Sequence, residues 1–231
     1  MLAPTGRSDI KIDISADPRA GANFYAWGAG WRSWVGAMPS TFEIDEMAPG
    51  CLEPYFAAAM VAGEVFKVSK GLLKGRLASD DAYSLWTGEL GEWDDVAEGP
   101  SMVGMTLPPL YLVGAGAVGQ GLMQVLGASG LRDPYVVTID HDYHDEKGTN
   151  LNRCFLAGMA DILQPKVDAI KRYRSSTGLD GYEFEGKLND YLTAAKPGLR
   201  SAVAESEARD RYDVVVSAVD LNRSRQDIQG L

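Results

Sequence analysis

Five polar side chains and three glycines in the second half of the chain have the types and spacing to do chemistry. Gly114, Gly116 and Gly119 form G-x-G-x-x-G within LVGAGAVGQG. The first glycine of that pattern permits a tight turn. The second lets the backbone approach a phosphate, and the third lets a helix pack closely on the preceding strand. A helix opening there offers unpaired N–H groups to an anion. Asp140 stands 21 residues after Gly119, at the end of the next apolar run, where a carboxylate can hold both hydroxyls of a ribose. Arg153 closes the polar string Asn150-Leu151-Asn152-Arg153. A guanidinium fork fits phosphate well, although a solvated surface arginine has the same signature. Lys166, in Gln164-Pro165-Lys166, sits in the first turn of a helix-like run. The helix dipole disfavours a cation there, so the placement makes sense facing a bound anion, with a solvated lysine as the alternative. Asp220 follows the apolar run Val214–Ala218. A carboxylate at such a strand end suits Mg²⁺, or caps the next helix, or both.

The elements that must position these residues alternate strand and helix. Tyr111–Val113 reads as a short buried strand, Gly114–Gly119 as a turn and Gln120–Leu126 as a helix. Tyr135–Ile139 is a second strand ending at Asp140. Pro165 opens another helix, Tyr182–Gly186 is a weaker strand, and Asp213–Ala218 a buried one. This βαβ order predicts a parallel sheet with ligands at the carboxyl ends of its strands. Earlier in the chain, Asp9–Ser15 alternates like a strand and Asn23–Ala37 reads as strand–turn–strand. Pro54 opens a helix that is apolar on most faces, and residues 78–101 read as an acidic loop or linker.

Composition bounds the rest. The 231 residues carry a net charge of -10, with 45% hydrophobic and 23% charged residues. That range is globular and excludes wholesale disorder. The acidic balance argues against a nucleic-acid footprint. Only Cys51 and Cys154 are present and no CxxC occurs. A disulfide framework or structural zinc site is therefore not expected, and a reducing, cytoplasmic location fits. The N-terminus lacks the apolar core of a secretory signal. Ser101–Leu131 is uncharged, but its Pro108-Pro109 and seven glycines make it a poor membrane helix, so no membrane partner is expected. All five tryptophans precede residue 100. The expected division is a smaller aromatic-rich α+β region over 1–100 and a Rossmann-like α/β domain over 101–231.

Together the strings YLVGAGAVGQGLMQVLGASGL, VVTID, NLNRCFL, DILQPKVDAI and VVVSAVD resemble the ThiF/MoeB and ubiquitin-activating-enzyme adenylation domain, over residues 108–231. The resemblance implies a Rossmann-like ATP-binding fold. It also implies adenylation of the C-terminal glycine carboxylate of a ubiquitin-like protein, with release of pyrophosphate. By position, Asp140 would hold the ribose, and Asn150, Arg153 and Lys166 the phosphates. Asp220 would hold Mg²⁺, and Arg225 would be structural. Arg153, Lys166 and Asp220 are thus the implied catalytic set. The resemblance further implies a homodimer and a conjugating-enzyme-like partner. Four departures stand out. The segment from Asp140 to Asn150 is longer than usual, Leu221 replaces an asparagine, the zinc-binding CxxC pairs are missing, and the chain ends soon after Asp220. The last of these points to a fragment or a reduced homologue. Cys154 is not where the family places a catalytic thiol and reads as buried and inert. For an arginine donated across a dimer, Arg7, Arg19 and Arg32 are the candidates.

AGWRSWVG followed by EPYFAAAMVAGEVFK is similar to N-terminal regions of bacterial ThiF-like proteins. Those are often encoded beside ubiquitin-like and conjugating-enzyme-like partners, including in antiphage systems. Three readings remain open on sequence grounds: an ATP-dependent activator of a ubiquitin-like tail, a non-catalytic scaffold for such a partner, and an NAD(P)-dependent oxidoreductase. The last accounts for the glycines and Asp140 but leaves NLNR, QPK and Asp220 without a common purpose.

Overall fold

The computed structural model describes residues 10–14, 21–40, 42, 52–72, 81–194, 214–220 and 222–229. The chain divides into two compact units, Met1–Val103 and Gly104–Leu231.

In the first unit, β1 (Ile12–Asp13), β2 (Phe24–Ala29), β3 (Arg32–Gly36), β4 (Ala82–Ser84) and β5 (Leu90–Gly91) form one sheet in that order. Only the β1–β2 pair is parallel. Residues 81–100 are therefore not a linker. Their strands are two and three residues long, too short for alternation to register in an acidic, turn-rich stretch. Helix α1 (Leu52–Ser69) begins two residues before Pro54. It buries Ala57, Met60 and Val61 against Phe24, Ala26 and Val35, while Phe66 and Val68 are exposed. One face is buried, not most of them, because the other face is mainly small residues that read as apolar without needing cover. Trp34 and Trp93 are core residues. Trp86 is exposed and meets Trp31 edge to face.

In the second unit, β6 (Leu110–Val113), β7 (Tyr135–Asp140), β8 (Asp180–Glu185) and β9 (Val214–Ser217) make a wholly parallel sheet in the order β8-β7-β6-β9. Helices α2 (Ala117–Ala128) and α3 (Lys166–Thr177) are the crossovers, followed by α4 (Leu188–Ala194) and α5 (Asn222–Gln229). This is the expected Rossmann-like α/β arrangement. Leu110, Leu112, Val136, Met123, Leu126, Val167 and Ile170 fill one layer between sheet and helices. Arg174 ties α3 to β8 through a two-point bond to Glu183, at 2.7 and 3.3 Å. Strand β9 is half-exposed rather than buried, since only β6 pairs with it among the described residues. No helix is long and apolar enough to cross a membrane among the described residues.

The segment between β7 and α3 folds back on itself. Lys166 N–H donates to the Asp142 carbonyl (2.9 Å), His144 N–H to that of Gln164 (3.0 Å) and Leu163 N–H to that of His144 (3.0 Å). A three-residue 3-10 turn, Met159–Asp161, lies inside it.

Candidate nucleotide site

The chain runs from β6 through β7 to β8 on one side, and β9 returns on the other side of β6. The crevice beyond the carboxyl ends of β6 and β9 is therefore the switch point of the sheet, where open parallel sheets bind ligands. Gly114 follows β6 directly, and Asp220 lies three residues past β9. Asp140 is the last residue of β7.

The three glycines are there for three different reasons. Gly114 has φ +109°, and a Cβ on it would sit 2.6 Å from the Ala218 carbonyl oxygen. Its N–H donates to Ile139 (2.9 Å) while Ala218 donates to Val113 (2.8 Å), so the turn is hydrogen-bonded to both neighbouring strands. A Cβ on Gly119 would lie 2.1 Å from the Gly114 carbonyl oxygen. Helix α2 can approach the turn only because nothing is there. Gly116 is different. It caps α2 with ordinary φ and ψ, and a Cβ on it would meet nothing within 4 Å. Its missing side chain leaves open space beside the orphan N–H groups of a helix start, which is the vacancy an incoming phosphate needs. The helix starts at Ala117, three residues earlier than expected, because Gly119 packs as a helical residue rather than ending the turn.

Asp140 is bonded on both oxygens. Oδ2 accepts from Ala115 N–H at 2.6 Å and Oδ1 from Asp142 N–H at 2.8 Å. Each oxygen keeps a second lone pair for a ribose hydroxyl. Lys166 opens α3, and Pro165 fixes the chain just before it. The Lys166 ammonium is bonded to Asp142 Oδ2 at 2.8 Å, which offsets the unfavourable helix dipole. Arg153 is exposed and donates to Asn150 Oδ1 at 2.6 Å. Cys154 is buried. Burial pushes its thiol up, Lys166 and Arg153 pull it down and Asp140 raises it again. Asp220 is exposed, and Arg225 Nε donates to the Val219 carbonyl at 3.0 Å, holding the backbone just before it. An exposed carboxylate at the switch point matches the donor set of Mg²⁺, which takes one or two carboxylates plus phosphate oxygens. Of the arginines considered for donation in trans, Arg32 is bonded to Glu98 and to the Trp93 carbonyl. Arg7 and Arg19 lie outside the described residues.

Sequence reasoning missed three groups. Asp142 links Asp140 to Lys166. His144 is fully buried, with neither ring nitrogen hydrogen-bonded among the described residues. Burial holds it below the ordinary histidine value; Asp161 and Asp145 oppose that, and Lys166 and Arg172 add to it. Gln120 is buried completely on the core face of α2, beside Met123. A polar residue in line with Met123 and Leu126 on that face was the available signal.

Comparison with known proteins gives the family of the second unit. Residues 109–231 match the ThiF family. No curated protein matches the chain. Among solved structures, Escherichia coli MccB crystallised with ATP is 26% identical over 39% of this chain and 27% of its own, with a TM-score of 0.33. MccB, described as a microcin C7 biosynthetic enzyme, has also been crystallised with N-formylated MccA. E. coli TcdA, a tRNA N6-threonylcarbamoyladenosine dehydratase in complex with ATP, is 20% identical over 49% of this chain and 42% of its own, with a TM-score of 0.36. The matched part thus spans about a quarter of MccB and less than half of TcdA.

Proposed function

The chain belongs to the ThiF family, and from that membership we propose that it adenylates a carboxylate with ATP, releasing pyrophosphate. The carboxylate is the C-terminus of a ubiquitin-like protein. The observation that carries the reading is the Gly116 vacancy, opening beside a turn whose Ala115 N–H is already bound by Asp140. One face of that turn is free for phosphate, and a carboxylate suited to ribose stands on the neighbouring strand.

The nucleophile is itself an anion attacking a phosphorus flanked by anionic oxygens. The protein's task is therefore charge compensation and alignment, not proton abstraction. Arg153 and Lys166 supply fixed positive charge, with Asn150 orienting the arginine. Lys166 leaves Asp142 or shares its ammonium protons with phosphate as nucleotide arrives. Asp140 sets the ribose and through it the register of the phosphates. Asp220 would hold Mg²⁺, which supplies further charge neutralisation when bound. Cys154 is buried, its thiol pushed up, and plays no nucleophilic part. A homodimer and a conjugating-enzyme-like partner belong to the same reading, as does a role in antiphage or other ubiquitin-like conjugation.

The first test is thermal stability with Mg·ATP and, separately, with NAD or NADP. A ligand at about a hundred times its dissociation constant adds about 2.7 kcal/mol, a shift of several degrees. Stabilisation by Mg·ATP, followed by pyrophosphate exchange that depends on a ubiquitin-like protein with a free C-terminus, supports the reading. Stabilisation by NAD or NADP alone overturns it in favour of an oxidoreductase. Binding of Mg·ATP without exchange favours a scaffold.

A further inference from the structure

The side chain of Gln120 spans two segments that sequence keeps far apart. Its Nε2 donates to the Ala115 carbonyl at 3.1 Å, and its Oε1 accepts from Leu156 N–H at 2.9 Å, 36 residues away. The amide orientation is fixed chemically, since a carbonyl needs a donor and an N–H needs an acceptor. The residue has no exposed surface. Burying an amide costs free energy that its hydrogen bonds only just return, so the residue is held there by what its two bonds do for the Ala115 carbonyl and the Leu156 N–H rather than by packing.

The two bonds have a directional effect. In a trans peptide the C=O and the following N–H point opposite ways. Holding the Ala115 carbonyl toward Gln120 therefore turns the Gly116 N–H the other way. Asp140 holds the other peptide of the same residue, through the Ala115 N–H. Both peptide planes flanking Ala115 are thus set by side chains. The second bond ends three residues past Arg153, in the segment that carries it.

We propose that Gln120 is a positioning residue for nucleotide: it aims the Gly116 N–H and fixes the Arg153 segment against the glycine turn, so that both meet the phosphates as one preassembled unit. The proposal rests on the nucleotide reading above and names a residue through which that site is built. Gln120 does not itself touch nucleotide.

The test is calorimetric binding of Mg·ATP to the full chain, wild type and variants. Gln120→Met removes both bonds with little change of volume, and weakens binding by about tenfold, equivalent to one lost buried hydrogen bond. In an Arg153→Ala background the same change costs less than about threefold, because the arginine it positioned is gone. Gln120→Glu gives a signature that a purely structural role would not. A buried carboxyl is protonated more readily than a free one. Its O–H then donates to Ala115 while its carbonyl accepts from Leu156, restoring both bonds. Relative to wild type, affinity of the Glu variant rises as pH falls from about 8 to about 5.5. Wild-type binding with an unchanged Gln120→Met affinity overturns the positioning role alone. So do losses that simply multiply in the double variant, or a Glu variant with no pH dependence of its own. A wild type that binds no Mg·ATP overturns the nucleotide reading and this inference with it. Should Gln120→Met fail to fold, the pH profile of Gln120→Glu decides.

Discussion

The Asp140 carboxylate and the Ala115 backbone N–H lie 2.6 Å apart, joining residues 25 positions apart in sequence. The group assigned to ribose is therefore also a strut of the glycine turn. Replacing Asp140 with alanine removes both roles. Mg·ATP affinity should fall by about 1–3 kcal/mol, the cost of charged hydrogen bonds lost, and the ligand-free melting temperature should fall as well. Calorimetry and thermal melts read the two effects separately. Unchanged affinity would sink the ribose assignment.

The three glycines should separate under substitution. Gly116→Val meets open space at an ordinary φ and should leave ligand-free stability within about 1 kcal/mol, while abolishing the shift with Mg·ATP. Gly114→Ala and Gly119→Ala force a Cβ against backbone carbonyls at 2.6 and 2.1 Å, and should lower the melting temperature itself. A Gly116→Val protein that still responds fully to Mg·ATP would place the phosphates elsewhere.

Asp220 is exposed, so its truncation should not disturb the fold. Asp220→Ala should retain the wild-type melting temperature and lose Mg²⁺-dependent pyrophosphate exchange by more than about a hundredfold. Exchange at the wild-type rate would remove Asp220 from the metal.

His144 makes stability depend on pH. Its folded value is held below the ordinary one of about 6.5, chiefly by burial. Between the two values the unfolded chain binds more protons, so stability is complete above the ordinary value and declines as pH falls through the folded one. Melts from about pH 8 to about pH 5 should show a steeper acid loss in wild type than in His144→Leu, which carries the same carboxylates. Parallel slopes would mean the imidazole is not held neutral.

The glycine turn, Asp140 and the parallel sheet were legible because each leaves a local mark. Steric demand selects glycine, an apolar run ends in an acid, and Pro165 precedes a helix. The short strands β4 and β5 left none, since two or three residues cannot display alternation. The roles of Gln120 and Asp142, as distinct from the buried position of Gln120, were illegible for another reason. What they do depends on partners 36 and 24 residues away, and spacing alone cannot reveal a partner at that distance. Asp213, expected to begin β9, lies outside the described residues, as do Cys51 and Leu221.

The folded-back segment between β7 and α3 has a consequence for how such a site can diversify. Its stem closes through the backbone of Asp142, His144, Leu163, Gln164 and Lys166. The end of one strand and the start of the next helix are thus clamped to each other whatever lies between. Lengthening a loop whose ends are already joined costs little, about 0.6 kcal/mol per doubling. Within it, the stretch from Asn150 to Leu156 carries Arg153 and its anchor to Gln120 and is not free to change. The residues on either side of that stretch can be extended or shortened while Asp140, Arg153 and Lys166 keep their places, so the rim of the site can vary without rebuilding its chemistry.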